Sequence, residues 1–329
     1  MRTFLYTFSL KYIYYLIIYK NRNIYISHTL SCFMKRKAIQ LAKQTIVISL
    51  PSKWIKQQGI KKGDDIDVEE RGNELVIGGK LEKTHKKTRE IDISALDPLA
   101  NRIIQGFYVS GVDEIHIKFD KPKLIDKIQR EIMNVLIGFE IVEQGKNTCI
   151  IKNISSELES EFDNLLSRTF FLVSSMAEEI IEALEKKDTN LEHIKFIDYN
   201  VNKFTNFCLR FLNKEGYKEY DKTSSIYSII QGIEHGGDLY KKIANEITEN
   251  KLKLNEKSII VLKDTTLQFK DFQSLFYKFD DKKALDIATR YAEIKAKIKK
   301  MPKSNIAFSL NELNRIIVTE LLSNQLTIR

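Results

Sequence analysis

The chain has 329 residues, with 53 Lys+Arg against 44 Asp+Glu and a formal net charge of +9. At about 100–200 residues per domain, this length predicts two or three domains. A composition of 43% apolar and 29% charged residues excludes a disordered chain. The three cysteines, Cys32, Cys149 and Cys208, lie far apart without a C-x-x-C pair. That excludes a disulfide scaffold and a multi-cysteine zinc ribbon, and it fits a reducing, cytoplasmic setting.

Residues 1–33 carry a net charge of +4 and no carboxylate. Their apolar stretch, Thr3 to Tyr19, is interrupted by Lys11 and is shorter than the ~20 residues a spanning helix needs. No small-x-small cleavage site follows it. Three readings stand for this extension: a start assigned too early, with Met34 the true start; a hydrophobic membrane anchor; or an ordered N-terminal helix.

From Met34 the patterning becomes regular. Residues 34–90 carry net +6, and 34–63 contain eight basic residues and no acidic one. Such a one-signed field attracts a polyanion, although a solvated basic face gives the same count. Ala38 to Leu50 reads as a strand region with Ile39, Leu41, Ile46 and Ile48 as apolar points. Ser49, as a cap before Pro51, opens a short helix to Gln58 that Gly59 closes. Asp65–Glu70 and Leu75–Ile77 read as strands joined by the Arg71-Gly72-Asn73 turn. A unit of under ~50 residues hardly buries a core alone, so pairing with a second copy is expected.

The run SLPSKWIKQQGIKKGD, with its spacing to DIDVEE and ELVIG, resembles the SpoVT–AbrB swapped-hairpin domain over 34–80. The resemblance implies an interleaved homodimer that lays a basic face on DNA. Matched by position, Lys35, Arg36, Lys37, Lys43 and Lys53 supply phosphate or base contacts. Arg36 is the candidate base reader, because its guanidinium fork grips two acceptors at once. Antitoxins also use this domain, so an antitoxin-like binder stays open.

Residues 81–90 form a polar connector. Over 88–154 the elements alternate: a strand at 90–93, a helix from Asp97-Pro98 to about Ser110 and a strand at 114–119. A helix then runs from Lys121-Pro122 to about Ile137, followed by strands at 139–143 and 148–151. This β-α-β-α-β-β order predicts a small, ferredoxin-like α/β sandwich. It contains no Gly-rich phosphate loop and no nucleophile elbow. His116 alternates with Ile115 and Ile117 and reads as a polar-face residue.

From Ser156 onward Gly and Pro nearly vanish. Ser156 with Glu159 fits a capping box opening a helix to about Lys187. Further helices are expected over 191–212, 223–248, 256–278, 281–299 and 309–324. Their short connections predict an all-α pair of three-helix bundles over 155–325. In GIEHGGDLYKKIANEI, Glu234 and Asp238 stand at i and i+4 on one face, as do Asp198 and Asn202 in the preceding helix. Two such pairs on neighbouring helices suit oxygen ligation of a cation, although solvated surface acids show the same spacing. Gly236 and Gly237 inside the helix point to close helix approach or to a backbone need beside a metal.

GIEHGGDLYKKIANEI and FIDYNVNKFTNFCLRFLNKEGY, with Arg210 in a recurrent arginine position, resemble the PhoU phosphate-uptake regulators over 155–325. The resemblance implies a divalent or ferric metal ion held by Asp198, Asn202, Glu234 and Asp238. Asn202 stands where a carboxylate is usual. LNELNRIIVTE resembles a second copy of the motif with Glu312, but Ile316 replaces the expected Asp, so that second site is expected to be lost.

The whole chain reads as a multidomain α+β protein. Together the two resemblances imply a dimeric DNA-binding regulator of phosphate uptake, with no enzymatic activity. Its helical half senses a signal or binds a phosphate transporter or sensor protein. An accessory protein of such a transporter or sensor kinase that does not bind DNA is the other reading.

Overall fold

The computed structural model describes residues 35–42, 45–71, 74–78, 86–131, 133–155 and 161–329. The readings for 1–33, Lys43 and the Ser156 cap lie outside them. Contacts divide the chain into two compact units, 1–64 and 65–329.

In the first unit, β1 (Ile39–Ala42) and β2 (Thr45–Val47) form an antiparallel hairpin. Helix α1 (Ser52–Gln57) follows. Ser49 is not the cap its sequence position predicts: Pro51 occupies the capping position, with no side-chain cap bond. Gly59 ends the helix at φ +66° and Gly63 turns the chain at φ +93°, conformations that favour glycine. The hairpin does not bury its own apolar residues: Ile39, Leu41, Ile46 and Ile48 are all exposed, Leu41 at 73%.

The second unit begins with the antiparallel pair β3 (Asp67–Arg71) and β4 (Glu74–Gly78). Val68 and Leu75 on this pair are exposed in the same way.

A four-stranded sheet follows, in the order β5-β6-β8-β7. Its strands are β5 (Thr88–Asp92), β6 (Glu114–Lys118), β7 (Phe139–Gln144) and β8 (Thr148–Asn153). β5 and β6 run parallel, which requires a crossover, supplied by α2 (Ala100–Val109). α3 (Pro122–Glu131) connects β6 to β7 through a short 3₁₀ turn, Met133–Val135. Strand alternation sends Ile115, Ile117, Cys149 and Ile151 into a core with Ile104 and Tyr108 of α2 and Ile125 and Ile128 of α3. The opposite face carries Glu114, His116 and Lys152. His116 Nε2 lies 2.7 Å from Glu114 Oε1, the polar-face position its alternation predicts.

The helical part comprises α4 (Phe162–Glu185), α5 (Ile194–Glu215), α6 (Thr223–Asn250), α7 (Glu256–Tyr277), α8 (Asp281–Ile298) and α9 (Asn305–Ile316). A π-helical segment, Ile317–Leu322, and α10 (Ser323–Thr327) complete it. α4, α5 and α6 pack on one another, as do α7, α8 and α9, and α4 and α6 also touch helices of the second group. All of them share one continuous hydrophobic core. Among the described residues, no helix is long and apolar enough to cross a membrane.

Cys149 and Cys208 are both buried. Burial pushes their thiols up to about 11 and about 12, with the Asp163 charge adding to the effect at Cys208. A thiolate-selective reagent at mildly alkaline pH should therefore label neither residue in the native protein and both after denaturation. Native labelling at the rate of a free thiol would contradict this.

Candidate functional sites

The basic segment is built on the first hairpin and the turn around α1. Lys35, Arg36 and Lys37 are consecutive and exposed on the segment leading into β1. Lys53 is exposed in the first turn of α1. Lys56, Lys61 and Lys62 are exposed nearby, and the Lys61 backbone N–H donates to Asp64 Oδ2 at 2.8 Å, fixing that turn. Lys43 lies outside the described residues. The structure thus presents each described candidate to solvent, with Lys35, Arg36 and Lys37 on one stretch and Lys53 on another element. Phosphate contacts need this kind of presentation: exposed cations with no carboxylate alongside them in sequence.

The acidic positions of the helical part come together differently. Asp198 of α5 and Asp238 of α6 meet at a lysine that the spacing of the acids did not reveal. Lys241 Nζ donates to Asp198 Oδ2 at 2.7 Å and to Asp238 Oδ1 at 2.6 Å. Asn202 Nδ2 donates to the same Asp198 Oδ2 at 3.1 Å. Glu234 is half-buried one turn before Asp238. Asp198 is 6% exposed, and burial raises its carboxyl against the pull of Lys241. Burial acts to lower the Lys241 ammonium, but its bonds to Asp198 and Asp238 outweigh that and raise it.

A divalent or ferric ion needs the carboxylate oxygens that this ammonium and amide hold. Among the described residues, no group of three or more His, Cys, Asp or Glu stands poised around a common point. As arranged, the donor set fits an ammonium and not a metal ion. The sequence signal for Lys241 is its i+3 position from Asp238, on the face that already carries the carboxylates.

Of the two glycines inside α6, Gly237 serves close helix approach and Gly236 does not need to be glycine for it. A Cβ on Gly237 would lie 3.3 Å from Val201 of α5 and 3.5 Å from Val173 of α4. One on Gly236 would meet Leu313 at an ordinary 3.6 Å. Gly236→Ala should therefore keep the packing and raise stability by up to about 1 kcal/mol through helix propensity. Urea denaturation checks this, and a lower midpoint would contradict it.

Arg210 lies elsewhere, on the seam between α5 and the α/β sheet. Its Nη1 donates to the carbonyls of Tyr108 at 2.8 Å and Val112 at 2.6 Å. Its Nη2 pairs with Asp113 Oδ1 at 2.6 Å. The guanidinium also lies 5.0 Å from the ring centres of both Tyr108 and Phe139. α2 ends at Val109, so Arg210 places a cation on the terminal carbonyls and negative dipole end of that helix. Asn213 donates to the Val109 carbonyl at 2.8 Å and Lys214 pairs with Asp113 at 3.0 Å, completing the seam. This arginine joins two layers of the second unit.

At the second motif, Arg315 Nη2 contacts Glu312 Oε1 at 2.6 Å and Glu320 Oε1 at 3.0 Å, spanning into the π-helical segment. Ile316 is fully buried.

Residues 39–89 match the model of a family described as antidote-toxin recognition MazE, bacterial antitoxin. An antitoxin-type domain in this region supports the swapped-hairpin reading of the N-terminal part. The match extends past the expected end at 80. No curated protein matches the chain, and no solved structure does.

Proposed function

We propose that this protein is a dimeric DNA-binding regulator of phosphate uptake, without enzymatic activity, whose PhoU-like helical part receives a signal or a partner protein. The observation that carries the DNA-binding half is the exposed, acid-free basic segment at the head of the antitoxin-type domain. Dimerisation is supported by the two hairpins, which leave Ile39, Leu41, Ile46, Ile48, Val68 and Leu75 exposed in one chain. A second copy interleaving with them removes that apolar surface from water. The phosphate assignment rests on the resemblance of the helical segments around Arg210 and Asp238.

The test is genetic. Deleting the gene in its host should change transcript levels of the phosphate-transport genes and abolish their response to phosphate limitation. Transcripts that respond as in the parent strain would remove the phosphate assignment while leaving DNA binding to be judged separately.

A second reading has its own support, because the matching family is named for antitoxins. In that reading the N-terminal domain neutralises a toxin encoded beside it. Co-expression that rescues growth from such a neighbour would favour it, and the lack of any toxic neighbour would count against it.

A further inference from the structure

We propose that Lys241 is a built-in counter-cation that takes the place a metal ion would fill between α5 and α6, so that the helical part folds and operates without bound metal. The inference goes beyond the regulator reading and rests on the ion pairs alone.

Asp198 is the only buried carboxylate among the described residues. A buried carboxylate requires a compensating charge and hydrogen bonds. Lys241 supplies the charge at 2.7 Å, and Asn202 supplies a second donor at 3.1 Å. The same ammonium reaches Asp238 at 2.6 Å. One cation thus ties α5 to α6 across two carboxylates, which is the bridging task a metal ion would perform. Its stem rises from α6 itself, so the cation is present at full occupancy whatever the ion supply. The Arg315 pairing with Glu312 and Glu320 repeats the device at the second motif, again with a side-chain cation on two carboxylates.

The test uses the full chain. Wild-type protein should carry no stoichiometric metal after purification, and its melting temperature should be the same in EDTA, Mg²⁺ or Mn²⁺. Lys241→Met keeps the stem and removes the charge. Because Lys241 and Asp238 are partly exposed, it should lower the folding equilibrium constant by roughly 10–100-fold, between the exposed and the fully buried case, whereas Lys241→Arg stays close to wild type. In Lys241→Met, Mn²⁺ should now bind calorimetrically and restore stability. The double variant Asp198→Asn/Lys241→Met should be more stable than Lys241→Met alone and should show no Mn²⁺ effect.

Three results would overturn the proposal. One is wild-type protein that retains metal and loses stability in EDTA. Another is Lys241→Met as stable as wild type. The third is a destabilised Lys241→Met that Mn²⁺ does not restore, which would show that the lysine does not stand in the place of a metal ion.

Discussion

Arg210→Met should cost the protein about 3 kcal/mol of stability, the lower end of the range for breaking a buried ion pair, because Arg210 is buried and its partner Asp113 partly so. The methionine fills part of the space between Tyr108 and Phe139 but donates nothing. The Tyr108 and Val112 carbonyls lose their shared donor, and Asp113 keeps Lys214 and the Lys87 backbone N–H. Because Arg210 is 5% exposed, water does not readily replace the lost bonds.

The effect also depends on pH. Burial acts to raise the Asp113 carboxyl, but bonds from Lys214 and the Lys87 backbone, with the Lys214 and Arg210 charges, outweigh it and hold the carboxyl below its ordinary 3.8. A depressed carboxyl contributes stability above its unfolded value and loses it as pH falls through the folded one. The gap between wild type and Arg210→Met should therefore narrow as pH falls below 3.8. Urea midpoints across pH test both points, and a variant within 1 kcal/mol of wild type at neutral pH would contradict the role given to Arg210 (about the net worth of one ordinary hydrogen bond).

Replacing Lys35, Arg36, Lys37 and Lys53 together with alanine should reduce DNA affinity roughly 100-fold or more at moderate salt. It should also flatten the salt dependence, by about 0.9 in log–log slope for each phosphate that is no longer neutralised. If Arg36 reads a base edge, Arg36→Ala alone should additionally relax sequence preference, while Lys37→Ala weakens all duplexes alike. The dimer should survive these changes, since the exposed apolar residues of the hairpins, and not these cations, provide its contact surface. Light scattering alongside the titration separates the two effects: a variant that falls to monomer would place the cations in the interface.

Much of this fold is legible in the residues themselves. The turn glycines Gly59 and Gly63 and the alternation of Ile115 and Ile117 are local signals, and each predicts its element. So does the helical recurrence of Leu166, Phe170 and Val173 in α4. Ser49 fails as a cap because Pro51, pre-set in φ, takes the capping position itself and leaves the serine outside the helix. What periodicity does not encode is pairing across long separations. Arg210 meets Asp113 some 97 positions away, and no spacing rule connects them. Lys241 reaches back to Asp198 across the α5–α6 connection, so a pattern of acids that reads as a metal site on paper closes on an ammonium in three dimensions. Residue type and spacing name the carboxylates, and only packing shows which cation holds them.

The most direct test is fluorescence anisotropy of the full chain on duplex DNA from upstream of phosphate-transport genes. It is run across a salt series beside a scrambled duplex and the four-alanine variant. The predicted result is tighter binding to the upstream duplex, with log affinity falling linearly with log salt and the variant showing a shallower slope. Equal, salt-insensitive binding to both duplexes, or no binding to either, would contradict the regulator reading.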